Sequence, residues 1–390
     1  MIRDLDALMT ERGIGALIVP MHEAIHPSFR WITRGAKVTR GYAIKTAGRD
    51  PLLVSYPMER DEAAATGLRT ALVHEFGFDA IFRAAAHPVA AYAELFDRIL
   101  RAEHASGAIA FCGNVPFHLY HGIADIMVTR GWVVFRANGE DIIQLARKRK
   151  DQWEIDAIAS VGARTEEVVD VVRSVLRTGK RTRLGELKDL VSYEIARRGM
   201  IEDHETILSQ GADAGVPHSR GNRDAWVEPS SPIVIDIFPA DRESGYFFDL
   251  TRTFCVGPIP DELAKIHRDV HEAFLLARDR MKPGTPASLY QQLVCDFFEQ
   301  KGYATTRTNP STLNGYVHSL GHGVGLEVHE KPSFSLMPSN SDMIEEGDIV
   351  TIEPGLYFPE RGLGVRIEDT FVVREGGVES LSKSSRGLEP

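Results

Sequence analysis

Two aspartates stand where apolar strands should carry no charge. The stretch IVIDIFPADRESGYFFDLTRTF, residues 233–254, is two apolar runs joined by a polar turn. Asp236 lies among Ile233, Val234, Ile235 and Ile237, and Asp249 among Tyr246, Phe247, Phe248 and Leu250. An ionised carboxylate buried in such a run is costly unless it is paired or holds a metal. Two in one hairpin point to a shared cation; the alternative is a solvated hairpin with ordinary surface aspartates. Later stretches bear on that choice. HSLGHGVGLEVHE, residues 318–330, sets His318, His322 and His329 among Gly321, Gly323 and Gly325. That much glycine argues against a helix, so the His318/His322 spacing is not a helical metal pair, and the glycines let backbone approach a site closely. DIVTIEPGLY, residues 348–357, reads as a buried strand ending in Glu353, and GVRIEDT, residues 364–370, sets Glu368 after Val365 and Ile367.

Taken singly, each of these acids and histidines reads as a solvated or satisfied side chain. Together they supply four carboxylates and an imidazole, each in an apolar or glycine-rich setting. Four carboxylates offset two divalent cations. The donor set suits manganese first, then cobalt, iron or zinc, while a histidine disfavours calcium. Two such ions roughly 3.5–4 Å apart can activate a shared water and clamp a transition state.

Elements at matching spacing must carry these residues. Along the first third, strands are expected at 16–19, 42–46, 52–55, 71–73, 108–111 and 132–135, with helices between them: a small α/β layer domain ending near Gly139. Within it Arg30-Trp31-Ile32-Thr33-Arg34-Gly35 reads as a half-buried Trp under a loop. From Asp151 the character changes. Helices are expected over 154–176 and 184–198, then strands at 206–208, 233–238 and 246–255. Two further helices follow, one carrying Leu263, Ile266, Val270, Phe274, Ala277 and Met281 at helical spacing and one over 288–301, and then strands at 349–353 and 365–373. The order, helix–helix–strands twice over, suggests two similar halves. Asp249, Thr251 and Thr253 should share one strand face, as should Arg366 and Glu368. The division expected is residues 1–140 and 141–390.

Length fits two domains at 390 residues, and 43% hydrophobic with 26% charged residues is an ordinary globular composition. A net charge of -10 argues against a nucleic-acid partner. The basic run Arg147-Lys148-Arg149-Lys150 is short and reads as a solvated helix start near the domain junction. The three cysteines, Cys112, Cys255 and Cys295, form no CxxC pair, which fits a reducing compartment. With a charged N-terminal stretch and no apolar run long enough to span a bilayer, a cytoplasmic protein without a membrane partner is expected.

The motifs from about Asp151 onward resemble the pita-bread metallopeptidases: prolidase, aminopeptidase P, methionine aminopeptidase and the related creatinase. HSLGHGVGLEVHE matches the proline-peptidase signature over its full length. The first third resembles the creatinase-type N-terminal domain by size and α/β pattern only. The resemblance implies an α/β creatinase-like N-terminal domain. It also implies an α+β pita-bread catalytic domain, a curved antiparallel sheet with helices in pseudo-two-fold arrangement. It makes Asp236, Asp249, His322, Glu353 and Glu368 the metal ligands, with Asp249 and Glu368 bridging and Glu353 also relaying a proton from a bridging hydroxide. His218, His318 and His329 match histidines that contact substrate and stabilise the tetrahedral intermediate, and Arg366 an arginine beside the last ligand. The implied activity is hydrolysis of X-Pro peptide bonds, as dipeptidase or aminopeptidase, on a small peptide with proline second, by a homodimer with two divalent ions. His218, His318 and Tyr357 are expected to receive the proline ring. Arg366 is expected either to fork a substrate carboxylate or to orient Glu368. A creatinase-like amidinohydrolase or lyase, or a non-catalytic binding protein on the same scaffold, is the alternative. The two aspartates are 13 apart (249 − 236), a longer spacing than is usual in the family, and Phe238-Pro239 stand where a glycine is usual, which should lengthen the hairpin and reshape a pocket wall.

Overall fold

The computed structural model describes residues 2–22, 26–136 and 141–390. Two compact units divide the chain, Met1–Arg147 and Lys148–Pro390. The junction expected at 140 abuts residues 137–140, which lie outside the described residues.

In the first unit the described strands form one mixed sheet in the order Arg69–Leu72, Leu52–Ser55, Arg40–Thr46, Ile14–His22, Ala108–Phe111, Val133–Val134. Ile14–His22 runs antiparallel to Arg40–Thr46 and parallel to Ala108–Phe111, so the first strand is central and buried on both faces, as its unbroken apolar run requires. Helices Pro88–Ala102 and Phe117–Thr129 pack Phe96, Ile99, Leu100, Ile123 and Met127 onto Ile18, Tyr42 and Ile44. Trp31 departs from expectation. It is 3% exposed and lies within a helix, Pro27–Thr33. His26 accepts from the Phe29 N–H at 3.3 Å and Pro27 opens the first turn, a cap and start signal that make the loop expected there helical instead.

The second unit repeats one theme. Helices Gln152–Arg177 and Leu184–Arg197 precede the antiparallel strands Ile207–Gln210, Pro232–Ile237 and Leu250–Cys255. Helices Asp261–Arg280 and Ala287–Gln300 precede the sheet ordered Glu330–Ser333, His322–Gly323, Ile349–Ile352, Asp369–Arg374, Gly377–Ser380. The stripe read from the sequence is buried: its Val270 and Phe274, with Val294 and Phe298 of the next helix, pack with Ile352, Val365, Ile367 and Phe371. In the other half Asp151 caps its helix through the Glu154 N–H at 3.0 Å, and Glu154 returns a bond from the Asp151 N–H at 2.8 Å while also accepting from Tyr246 Oη at 2.6 Å. Gly162 lets that helix lie against Phe248; a Cβ there would sit 2.5 Å from the ring.

Two elements differ from the sequence reading in ways that shape the site. The strand expected at 365–373 is two strands. Leu363–Arg366 pairs with Gly355–Phe358, and Asp369–Arg374 with Ile349–Ile352. The chain changes sheets at Ile367 and Glu368, where the Glu368 N–H donates to Thr251 O at 3.1 Å. The basic run is no solvated helix start. Lys148 and Lys150 are buried, and residues 148–150 form a strap along 343–348: Lys148 Nζ donates to Met343 O at 2.8 Å and to Glu345 Oε2 at 2.5 Å, and the Lys150 N–H to Gly347 O at 2.8 Å. Lys150 Nζ reaches Glu330 Oε2 at 2.9 Å. Partners nearly two hundred positions away make Lys148 and Lys150 interior residues, while Arg149 stays exposed (345 − 148 = 197).

Candidate metal and active site

One cavity of about 670 Å³ in the second unit is lined by Asp236, Asp249, His322, Glu353 and Glu368 together with His218, His318, His329 and Arg366. Asp236 lies within its strand; Asp249 precedes Leu250–Cys255, Glu353 follows Ile349–Ile352, and Glu368 occupies the break between two strands. Thr251 organises this edge. It is the register partner of Asp236 and bridges to Glu368, and its hydroxyl donates to Glu368 Oε2 at 2.8 Å.

Asp249, His322 and Glu368 each offer one ligand atom within 4.8 Å of the others. Asp236 and Glu353 stand outside that group. His322 Nε2 lies 3.6 Å from Asp249 Oδ2 and 3.5 Å from Glu353 Oε1. Its Nδ1 is 3.1 Å from the Gly323 carbonyl, which can only accept, so the ring proton belongs on Nδ1 and the Nε2 lone pair faces the carboxylates. The glycines of this segment serve the scaffold: a Cβ on Gly323 would sit 1.9 Å from Lys331 O, and one on Gly321 2.2 Å from Thr351 O. From the side, Gln291 accepts from the Leu320 N–H at 2.5 Å and donates to His318 O at 3.3 Å.

Burial, and after it the Asp236 carboxylate, pushes the Glu368 carboxyl up to about 8. Burial, then Glu368, Asp236 and Glu353, holds Asp249 well above the usual carboxylate range, and burial with Glu368 raises Glu353. Acids crowded this way keep protons unless a cation takes their place. Asp236 Oδ1, Asp249 Oδ1 and Glu368 Oε1 are buried and have no hydrogen-bond partner. Their other oxygens are engaged at Asp236, by Arg366, and at Glu368, by Thr251. Orphaned oxygens on three acids lining one cavity, beside an imidazole lone pair, fit divalent cations.

Four of the five N–H donors of Arg366 are engaged by the protein, which leaves no pair for a fork. Nε donates to Thr251 Oγ1 at 3.2 Å, Nη1 to Pro217 O at 3.1 Å and Tyr357 Oη at 2.8 Å, and Nη2 to Asp236 Oδ2 at 2.6 Å. Of the two roles expected for it, the substrate fork is therefore excluded, and the residue it orients is Asp236 rather than Glu368. Tyr357 is fully buried behind His318 and does not line the cavity, which removes it from the ring pocket; Phe238 does line it. Tyr357 Oη accepts from Arg366 and lies 2.8 Å from His318 Nε2, whose Nδ1 is 2.8 Å from Ser319 O. Both His318 nitrogens are thus spoken for, and burial lowers its pKa to about 3. His329 stacks edge-on against His322 with centroids 4.3 Å apart; the residue is exposed, and its ring nitrogens make no hydrogen bond among the described residues.

Residues 156–375 match the model of metallopeptidase family M24. The chain belongs to that family. It is a hydrolase of the M24 class, a family that works with divalent metal ions, and it has the pita-bread fold. The M24 chain is 32% identical over 250 residues to an Xaa-Pro dipeptidase of Pyrococcus furiosus, covering 64% of this chain and 67% of that one. An Xaa-Pro dipeptidase structure from Bacillus anthracis aligns over 99% of this chain and 98% of its own with a TM-score of 0.81 at 22% identity. An X-Pro aminopeptidase structure from Thermotoga maritima aligns over 96% and 97% with a TM-score of 0.76 at 24% identity.

Sequence reasoning missed the support beneath Glu368. Arg252, 1% exposed, donates to Glu368 O and Asp369 Oδ1, both at 2.7 Å, and Arg386 grips the other Asp369 oxygen. The signal was present: Arg252 alternates with Thr251 and Thr253 in an apolar strand, and an arginine buried there demands an acid. It also missed Gln291 and the Lys150–Glu330 pair, whose partners are remote in sequence.

Proposed function

We propose that this M24 hydrolase cleaves the bond preceding proline in small peptides, with Asp236, Asp249, His322, Glu353 and Glu368 holding two divalent ions, manganese first. The observation that carries the metal assignment is the set of orphaned oxygens on Asp236, Asp249 and Glu368 beside His322 Nε2. Its relatives include Xaa-Pro dipeptidases, which supports the substrate class. The ions, when bound, supply Lewis-acid activation of a water and of the scissile carbonyl. The chain's own residues do the rest. Glu353 accepts the proton of the attacking water at a carboxylate oxygen and passes it to the departing proline nitrogen. His329, with its nitrogens uncommitted, donates to the carbonyl oxygen as it gains charge. Burial keeps His318 neutral, Tyr357 and Ser319 fix its ring as a wall, and His218, His318 and Phe238 enclose the ring of proline. Proline's nitrogen carries no N–H, so shape rather than a backbone donor must hold that side of the substrate. The same reading makes the enzyme a cytoplasmic homodimer: the resemblance supports the dimer, and three buried, unpaired cysteines support a reducing compartment.

The test is hydrolysis of Ala-Pro against Ala-Ala by protein stripped with chelator and reloaded with manganese. Reloading should restore cleavage of Ala-Pro, and Glu353→Ala should lower kcat by roughly 10²–10⁴-fold, the worth of a general base. No turnover of any X-Pro peptide, or full turnover in Glu353→Ala, would refute the reading.

A further inference from the structure

A short peptide brings a free carboxylate into a cavity that already holds six acids, and something must receive it. Two permanently charged cations line this cavity, Arg220 and Arg366. Arg366 is excluded, since four of its donors are spent on Thr251, Pro217, Tyr357 and Asp236. Arg220 is in the opposite state. Its side chain is 64% exposed, its guanidinium makes no hydrogen bond among the described residues, and its nearest acid, Glu205 Oε2, stands off at 4.0 Å. Glu205 is itself occupied, with Oε1 taking Lys188 Nζ at 3.1 Å and Arg223 Nη1 at 3.3 Å.

Arg220 is nevertheless fixed in place by its backbone. Two positions before it in sequence, His218 also lines the cavity. Ahead of His218, Pro217 O is held by Arg366 at 3.1 Å. Behind Arg220, Gly221 adopts a φ of +72° and is pressed on the strand Ile207–Gln210, where a Cβ would meet Leu208 O at 2.5 Å. A flexible, uncommitted guanidinium thus rises from an anchored segment beside a residue expected to touch the proline ring. On the reading that the substrate is an X-Pro peptide, we propose that Arg220 receives the carboxylate of a C-terminal proline as a two-pronged, charge-assisted fork, which makes the enzyme a dipeptidase. The acids deeper in the cavity repel that carboxylate and accept the substrate's ammonium end, so the peptide enters amine first and Arg220 closes on its tail.

The experiment compares Ala-Pro with Ala-Pro amide, and L-proline with L-prolinamide, on manganese-loaded wild type, Arg220→Gln and Arg220→Lys. In wild type kcat/KM should favour the acid over the amide by roughly 10- to 100-fold, the worth of a charge-assisted bond. Arg220→Gln should bring that ratio near one, chiefly through KM, with an unchanged melting temperature, and Arg220→Lys should restore part of it. Calorimetric binding should show the same loss of preference for proline over prolinamide. An acid-to-amide ratio equal in wild type and Arg220→Gln, or a wild type indifferent to amidation, would overturn the assignment. Absence of all X-Pro turnover would instead refute the proline reading; the binding of proline against prolinamide still decides Arg220, because it needs no catalysis.

Discussion

Lys150→Met should unsettle the second unit far more than a change at the edge of a basic run would suggest. Lys150 Nζ lies 2.9 Å from Glu330 Oε2, with the two side chains 1% and 3% exposed. Glu330 uses its other oxygen to accept the Glu327 N–H at 3.1 Å, bracing the turn that carries His329. Methionine fills the volume but takes the ammonium away from a buried carboxylate, a change that costs about 3–5 kcal/mol. In a unit of 243 residues (390 − 148 + 1) each kcal/mol moves the melting temperature by about 2–4 °C, so the transition of the second unit should fall by roughly 6–20 °C. Scanning calorimetry on wild type, Lys150→Met and Lys150→Met/Glu330→Gln reads this directly. The double variant should regain more than half of the loss, because Gln keeps an acceptor for Glu327 without the charge. A single variant within about 1 kcal/mol of wild type, the scale of an exposed ion pair, would refute the argument, as would a double variant no better than the single.

The other predictions concern the site and its frame. Arg366→Met should lower manganese affinity by roughly 10–100-fold, measured by competition with a chelating dye, and Arg366→Lys should not restore it, because an ammonium cannot reproduce the fork to Asp236, Tyr357 and Pro217. Gly323→Ala forces a Cβ to within 1.9 Å of Lys331 O; it should cost about 1–3 kcal/mol in urea unfolding and reduce metal content by displacing His322. Asp348, buried beside Lys148, is pushed up by burial to about 6. A raised folded pKa means the folded protein holds that proton more tightly, so the linked stability is present at low pH and is lost as pH rises through about 6. Asp348→Asn cannot ionise and should gain on wild type by as much as roughly 3 kcal/mol between pH 4 and pH 8, read as the difference between their denaturant midpoints.

Much of this molecule was written in local pattern. Each of the six strands expected in the first unit appears, because an alternating or unbroken apolar run needs no distant partner to be recognised. Helix Asp261–Arg280 follows its stripe from Leu263 to Ala277 for the same reason. Charged residues were legible when their burial contradicted their neighbours, as with Asp236 and Asp249. They were misread when burial depended on chain not yet paired. Nothing near Lys150 announces Glu330, and nothing in GVRIEDT shows that Arg366 would spend itself on Asp236 or that the strand would change sheets at Glu368. Trp31 was misplaced for a nearer cause: a histidine cap is a weak signal beside Ser, Thr or Asp.

The break at Glu368 also dates the site during synthesis. The hairpin with Asp236 and Asp249 emerges 119 residues ahead of Glu368 (368 − 249), an interval of roughly 6–24 s at about 5–20 residues per second. Until the chain behind Glu368 is available to pair, a nascent polypeptide can present two carboxylates to the surrounding ions but no closed cage. On the proposed ligand set, loading would be a terminal event, and bound cations would rivet together segments made at different times.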